Sequence, residues 1–368
     1  MNQLLYEMAI TEVPLIGPVQ TKLLAQHFGD AESVFRAKRS ELEKLEGIGK
    51  ARANAIKSFK NFRQFENDIH FIETYKIKPL FITNANYPQR LLHCYDPPSL
   101  LYYKGEADLN SSRIIGVIGT RKSSAYGRKL TESLIEELAA HNVIVVSGLA
   151  LGIDVIAHRA CLKYNVPTVG ILAHGLDSIY PPEHKDIARK MQASGGGLLT
   201  EFRKGVKADK HHFPSRNRIV AGICDGLVVV ETGIKGGSMI TADLAIGYNR
   251  DVFAFPGRTT DAQSQGCNLL IKSNKALLVQ SPADILGFLG WETKAVQPGS
   301  ETPQRALFPD LTDEEMKVIN LLEKNETSSV DQIYLQSGLS QSSAARVLLS
   351  LELKGLVRCL PGKIYEKV

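Results

Sequence analysis

The chain has 368 residues, 43% of them hydrophobic and 23% charged, with a formal net charge of +5, the make-up of an ordinary globular protein. Its N-terminus has no basic leader running into an apolar stretch, and no apolar run reaches bilayer length, so neither a secretory signal nor a membrane span is predicted. Five scattered cysteines, Cys94, Cys161, Cys224, Cys267 and Cys359, include no C-x-x-C pair, which argues against a zinc site and for a reducing, cytoplasmic compartment.

The charge is unevenly spread. Residues 111–304 hold 22 Lys/Arg against 17 Asp/Glu, while 1–110 hold 14 against 13 and 305–368 hold 8 against 9. A polyanionic partner is therefore sought first in the middle of the chain, although so small a surplus also fits a solvated surface.

In chain order, residues 1–68 read as helical, with short apolar periodic runs and no strand signal. Leu15-Ile16-Gly17-Pro18 and Leu45-Glu46-Gly47-Ile48-Gly49-Lys50 are related segments, each followed by an apolar helical stretch. Gly47 and Gly49 suit a tight turn with a helix starting near Lys50, as in a SAM-like or tandem helix-hairpin-helix module. A helical protein-contact module with a glycine turn fits equally.

Residues 79–290 alternate short apolar runs with helical segments. Strands are predicted at 114–118, 143–147, 168–172, 198–201, 227–231, 252–255 and 277–279, with edge strands at 79–82 and 100–104. Helices are predicted at 127–140, 155–163, 183–192, 215–223 and 238–249, with Ser215 as the N-cap of the fourth. This alternation predicts an α/β, doubly wound, mostly parallel sheet covered on both faces. The Pro-, Ser- and Thr-rich stretch 293–309 reads as a linker, and 310–368 has the helix–helix–helix–hairpin order of a winged helix.

Glycine- and hydroxyl-rich loops follow three of the predicted strands: 119–127, 147–154 and 232–238. In an open parallel sheet ligands sit beyond the carboxyl ends of strands, so backbone N–H groups of these loops, with Arg121 and Lys122, would face a phosphate. The alternative is that the glycines only close tight strand-to-helix turns. No loop carries G-x-x-x-x-G-K-S/T or G-x-G-x-x-G, so no nucleoside triphosphate or dinucleotide cofactor is expected. Residues 203–218 pack six Lys/Arg and two His around Phe213. Cations that neutralise phosphates beside a ring that stacks on a base are what single strands require. A solvated loop with Phe213 in the core is the other reading.

Together the runs GTRKSSAYG, SGLALGIDVIAH, GLDSIYPPEH, KHHFPSRNRIVAG, GGSMITADLAIGYNRDVFAFPG and QGCNLLI closely resemble the DNA-processing protein A (DprA, or Smf) family across about 110–290. The resemblance implies a Rossmann-like domain that binds single-stranded DNA, forms a homodimer and helps load the recombinase RecA onto incoming strands in natural transformation. By position it implies DNA-binding roles for Arg121, Lys210, Phe213, Arg216, Asn217, Arg218, Gly237 and Ser238, and the reading of the glycine loops adds Lys122 and Gly148 to the expected set. Gly236 stands where many members carry serine.

The rival reading is a nucleotide or nucleotide-sugar hydrolase built on Ser147, Asp154 and His158, the last two one helical turn apart. No G-x-S-x-G elbow supports it, and an acid–histidine pair at that spacing commonly pins a helix to its loop. His211 and His212 are adjacent and lack a third ligand, so no metal is expected. The winged-helix block is net acidic and its recognition-helix candidate carries one cation, Arg346, which favours protein contact, or duplex contact subordinate to the main domain. The expectation is a non-enzymatic, cofactor-free mediator on single-stranded DNA.

Overall fold

The computed structural model describes residues 3–291, 311–325, 327–360 and 364–367. They form two compact units, 1–293 and 294–368. The predicted linker at 293–309 lies outside the described residues.

The first unit opens with six helices: α1 (Gln3–Thr11), α2 (Pro18–Phe28), α3 (Ala31–Arg36), α4 (Arg39–Lys44), α5 (Gly49–Ser58) and α6 (Glu66–Thr74). Gly47 and Gly49 take φ of +85° and +62°, a region open to glycine, and turn the chain between α4 and α5 around the buried Ile48. The two related glycine segments meet across Arg52, whose guanidinium donates to the carbonyls of Leu15 and Gly47.

A nine-stranded sheet follows. Its strands are β1 (Lys78–Phe81), β2 (Leu100–Gly105), β3 (Ile114–Ile118), β4 (Ile144–Ser147), β5 (Thr168–Ile171), β6 (Gly197–Thr200), β7 (Gly226–Val229), β8 (Asp251–Ala254) and β9 (Leu277–Leu278). Their order is β1-β2-β6-β5-β4-β3-β7-β8-β9. β2 pairs antiparallel with both β1 and β6, and the remaining neighbours are parallel. Between strands run α7 (Gln89–Leu92), α8 (Ala125–Leu138), α9 (Ile153–Lys163), α10 (Lys185–Ala193), α11 (His212–Ile223), α12 (Gly237–Gly247) and α13 (Gln265–Lys272), with α14 (Pro282–Phe288) after β9. β3 to β7 are buried throughout, as the unbroken apolar runs of a sheet covered on both faces require.

The chain winds outward from β3 through β4, β5 and β6, then returns to the other side of β3 for β7, β8 and β9. This reversal places a topological switch point between β3 and β7, where a doubly wound sheet opens a crevice.

The helices predicted in the sheet domain start within one or two residues of the sequence expectation except at α11. α11 begins at His212, so Ser215 lies inside its first turns and is not the N-cap. Asp209 sets the start: its carboxylate accepts from the His211 N–H at 2.9 Å and its carbonyl from the His212 N–H at 3.0 Å. Pro214 is accommodated because the first helical turn has no use for its missing donor.

The second unit holds α15 (Asp313–Asn325), β10 (Thr327–Ser329), α16 (Val330–Ser337), α17 (Gln341–Leu353), β11 (Val357–Leu360) and β12 (Ile364–Lys367). The sheet order is β10-β12-β11, so the wing hairpin gains a third strand that sequence patterning does not predict. Val318, Leu322, Ile333, Val347 and Leu351 form its core.

Residues of α1 to α6 belong to the same buried cluster as the inner face of β1 and β2: Met8, Leu24 and Phe65 join Leu80, Leu101 and Tyr103. The helices and the sheet should therefore melt together. Leu24 is fully buried, and Leu24→Ala is expected to cost about 2–5 kcal/mol. Denaturant unfolding, followed by helical and aromatic signals of a protein ending at residue 291, checks this: both signals should shift as one transition, and an earlier loss of the helices alone would contradict it.

Candidate nucleic-acid interface

Beyond β3 the chain enters Gly119-Thr120-Arg121, and beyond β4 it enters the loop 148–152. The two loops are laced together. The Thr120 N–H donates to the Glu231 carbonyl at 2.7 Å, and the Ile153 N–H donates to the Thr120 carbonyl at 3.1 Å. Gly152, at φ +79°, is required here twice over, since a Cβ would also run into the Thr120 carbonyl oxygen. Together with α11 and the start of α12, these loops bound a crevice of about 530 Å³ at the switch point.

The structure brings most of the expected residues to this crevice. Arg121, Gly148, Lys210, Phe213, Arg216, Asn217, Gly237 and Ser238 all line it. Arg121 and Lys210 are exposed and, among the described residues, neither has an ion-pair partner. Phe213 is half-buried and belongs to none of the apolar clusters. Its ring carries the Arg121 guanidinium at 5.0 Å and faces Tyr180 at 6.3 Å. The core reading of Phe213 thus gives way to a ring that lines the crevice beside Arg121 and also borders an adjoining cavity of about 50 Å³ with Tyr180.

Two expected residues stand elsewhere. Lys122 is exposed beside the crevice, its N–H bonded to Thr120 Oγ1 at 3.1 Å, but is not among its lining residues. Arg218 points away: its guanidinium is paired with Glu201 and donates to the Asp96 carbonyl, both side chains being largely buried. Its geometry is that of a strut between α11, β6 and the 94–99 loop.

The glycine loops offer fewer free donors than their sequence suggests. At the start of α8, the Ser124 N–H donates to Glu231 Oε2 at 2.9 Å and the Gly127 N–H to Ser124 Oγ at 3.0 Å. In the β4 loop the buried Asp154 carboxylate accepts from Gly148 and Ala150, and burial pushes its pKa up against those bonds and the nearby Arg216 charge. Two of the three loops are therefore turned inward on carboxylates of the protein itself. The loop at the start of α12 remains, with Gly237 exposed. There Ser238 Oγ donates to Thr232 Oγ1 at 2.6 Å, and a Cβ at Gly236 would run into that same Thr232 oxygen. This explains the glycine at a position where the resemblance leads one to expect serine.

Arg216 is 4% exposed and donates to the Ile171 carbonyl at 3.0 Å. A Cβ at Gly148 would overlap its guanidinium, so this glycine exists to let Arg216 lie under the loop. Sequence reasoning missed Glu231 and the attraction between the buried Asp154 and Arg216 charges, although Asp154 and Arg216 each stood out within a motif.

Ser147, Asp154 and His158 do not form a nucleophile relay. Ser147 Oγ donates to the Val117 carbonyl at 2.6 Å, and His158 Nδ1 meets Thr168 Oγ1 at 2.7 Å. Burial lowers the His158 pKa to about 3, so the ring is neutral. Among the described residues no cluster of three His, Cys, Asp or Glu side chains is placed to hold a metal ion, and no helix is long and apolar enough to cross a membrane.

Three family models match the chain: DNA recombination-mediator protein A over 78–290, the DprA winged helix domain over 301–363, and a helix-hairpin-helix motif over 30–59. Among similar proteins, Protein Smf of Synechocystis sp. is 32% identical with 98% of each chain covered. DNA processing protein DprA of Streptococcus pneumoniae is 40% identical over 60% of this chain and 77% of its own. The solved structure of that pneumococcal protein superposes with a TM-score of 0.64 at 34% identity, covering 78% of this chain and 97% of its own. A structure of DNA processing protein A from Helicobacter pylori, concerned with its single-stranded DNA binding mode, gives 0.53 at 30% identity over 58% of this chain and 95% of its own.

Two stability measurements test the structural roles assigned above. The unfolded chain takes up a proton at His158 between pH 6.5 and 3 that the folded chain refuses. That contribution is lost as pH falls through this window, at about 1.4 kcal/mol per pH unit. The unfolding free energy of His158→Gln should accordingly fall less steeply between pH 6 and 4 than that of the parent. Arg218→Met leaves Glu201 buried without its charge partner, and is expected to cost about 3–5 kcal/mol in denaturant unfolding; a near-neutral effect would mean that the strut is not needed.

Proposed function

The chain belongs to the DNA recombination-mediator protein A family, a family of DNA-processing proteins, and on that premise we propose that it binds single-stranded DNA in the crevice between β3 and β7 and delivers it to the recombinase RecA. The observation that carries the reading is the convergence of Arg121, Lys210 and Phe213 on one crevice. Two cations without protein counter-charges neutralise phosphates and release their counterions on binding. The Phe213 ring and the guanidinium plane above it stack on bases of any sequence. Arg216 adds positive potential from beneath, and the open start of α12 supplies backbone donors at Gly237 and Ser238. Asn217 gives a neutral polar contact beside them, while Lys122 is placed for phosphates that leave the crevice.

The homodimer that the family resemblance implies has a candidate face at the sheet edge. Leu277 and Leu278 on β9 are exposed, as are Leu269 on α13 and Phe288 on α14, and an exposed apolar edge of this kind is normally covered by a partner. The handover to RecA in natural transformation, and a cytoplasmic setting with reduced cysteines, complete the reading; all five cysteines are free.

A salt titration of single- and double-stranded oligonucleotides of equal length tests it. Binding should favour the single strand and weaken steeply with salt. Arg121→Ala and Lys210→Ala should each flatten the salt slope by about one unit. Phe213→Ala should cost about 1–3 kcal/mol with the slope nearly unchanged. Because Arg121 rests on the Phe213 ring, the double variant should lose less than the sum of the singles. Equal or tighter binding to the duplex would sink the proposal.

A further inference from the structure

The basic loop 201–211 joins β6 to α11 and ends beside the crevice with Lys210. Its root is held from outside the sheet. Arg203 lies 3.6 Å from the Glu12 carboxylate just after α1 and 3.8 Å from that of Asp68 on α6, with its guanidinium over the Phe65 ring at 5.7 Å. Lys204 lies over the Phe71 ring at 5.0 Å. Cavities of about 10 and 90 Å³ flank Phe202 and Arg203 on either side. Ion pairs and ring contacts thus tie this joint to the N-terminal helices beside small gaps in the packing.

From this root a short path leads to the crevice. The Phe202 ring contacts that of His212 at 4.5 Å, at the first position of α11 and next to Phe213. The Gly205 N–H is fixed by Asp177 at 3.1 Å, and His212 Nδ1 meets the Lys207 carbonyl at 3.1 Å. Between these two points lie Lys207 and Lys210, both exposed. Phe202 and His212 thus connect the root to the first turn of α11.

We propose that Arg203 is a positioning residue for DNA binding: through Glu12 and Asp68 the N-terminal helices hold the basic loop and the start of α11 in the geometry the crevice uses. The inference rests on the single-strand reading above, and the helices contribute to it without touching DNA.

The sign of one substitution pair makes this testable. Glu12→Gln with Asp68→Asn removes two negative charges from the protein, so long-range electrostatics alone would tighten binding of a polyanion. Positioning requires the opposite: about three- to thirtyfold weaker single-strand binding with an unchanged salt slope, and faster hydrogen exchange at the Gly205 and His212 amides in the absence of DNA. The full chain is titrated with a fluorescent oligothymidylate beside the parent, after circular dichroism and melting confirm the fold. Binding as tight as the parent's, or tighter, overturns the proposal. A second pair covers loss of fold in the first. Arg203→Met should weaken binding without changing the salt slope, and Arg203→Lys should restore most of the affinity. A slope lower by about one in Arg203→Met would instead make Arg203 a direct phosphate contact and overturn the positioning role. A parent protein that fails to bind the oligonucleotide at all refutes the single-strand reading itself, and the exchange rates then still report whether Glu12 and Asp68 hold the loop.

Discussion

The crevice depends on one buried cation. Arg216 lies under the loop that follows β4, with Asp154 as its nearest counter-charge and the Ile171 carbonyl as its hydrogen-bond partner. Taking a guanidinium out of water costs several kcal/mol unless charge and hydrogen bonds replace the solvent. That requirement fixes much else. Residue 148 must lack a side chain, α9 must begin with an acid turned inward, and α11 must run beneath the ends of β4 and β5. The loops that face a ligand are therefore shaped by a demand from within the protein, and Phe213 and Asn217 are placed because they flank Arg216 on the same helix.

This inward demand also limits what the sequence reveals. The β3 and β7 strands are legible because a sheet buried on both faces needs continuous apolar runs, and Ile114–Ile118 supplies one. The start of α11 is not, since Pro214 resembles a break until the Asp209 turn is seen to begin the helix before it. β10 is built from Thr327–Ser329 and pairs through its backbone with β12, leaving no hydrophobic alternation to read. The site shows the same division. Its cations and ring are visible as residue types, but whether a glycine loop opens to a ligand or closes on a carboxylate depends on Glu231 and Asp154. Those acids reach the loops only through the fold.

Net charge is similarly deceptive. A surplus of +5 does not say which cations are free: Arg218 and Arg90 are spent inside the protein on Glu201 and Asp225, while Arg121 and Lys210 have no ion-pair partner among the described residues. The winged-helix unit pairs cations in the same way. There Arg346 pairs with Glu314, Lys354 with Glu315, Arg358 with Glu366 and Lys367 with Glu323. A cation already neutralised by the protein has little counterion to release when a phosphate arrives.

Affinity for a polyanion therefore follows from which cations the fold leaves without partners more than from net charge. In the α/β unit Arg121, on the loop after β3, and Lys210, on the loop after β6, both line the crevice without an ion-pair partner among the described residues. An extended strand lying between them meets both at once, together with the Phe213 ring. A stiff duplex presents its phosphates on the outside with its bases stacked within, so it would engage the cations while leaving the ring without a base to receive. On the proposed reading, a ring beside two unpaired cations would favour a strand whose bases are already free, without reading their sequence.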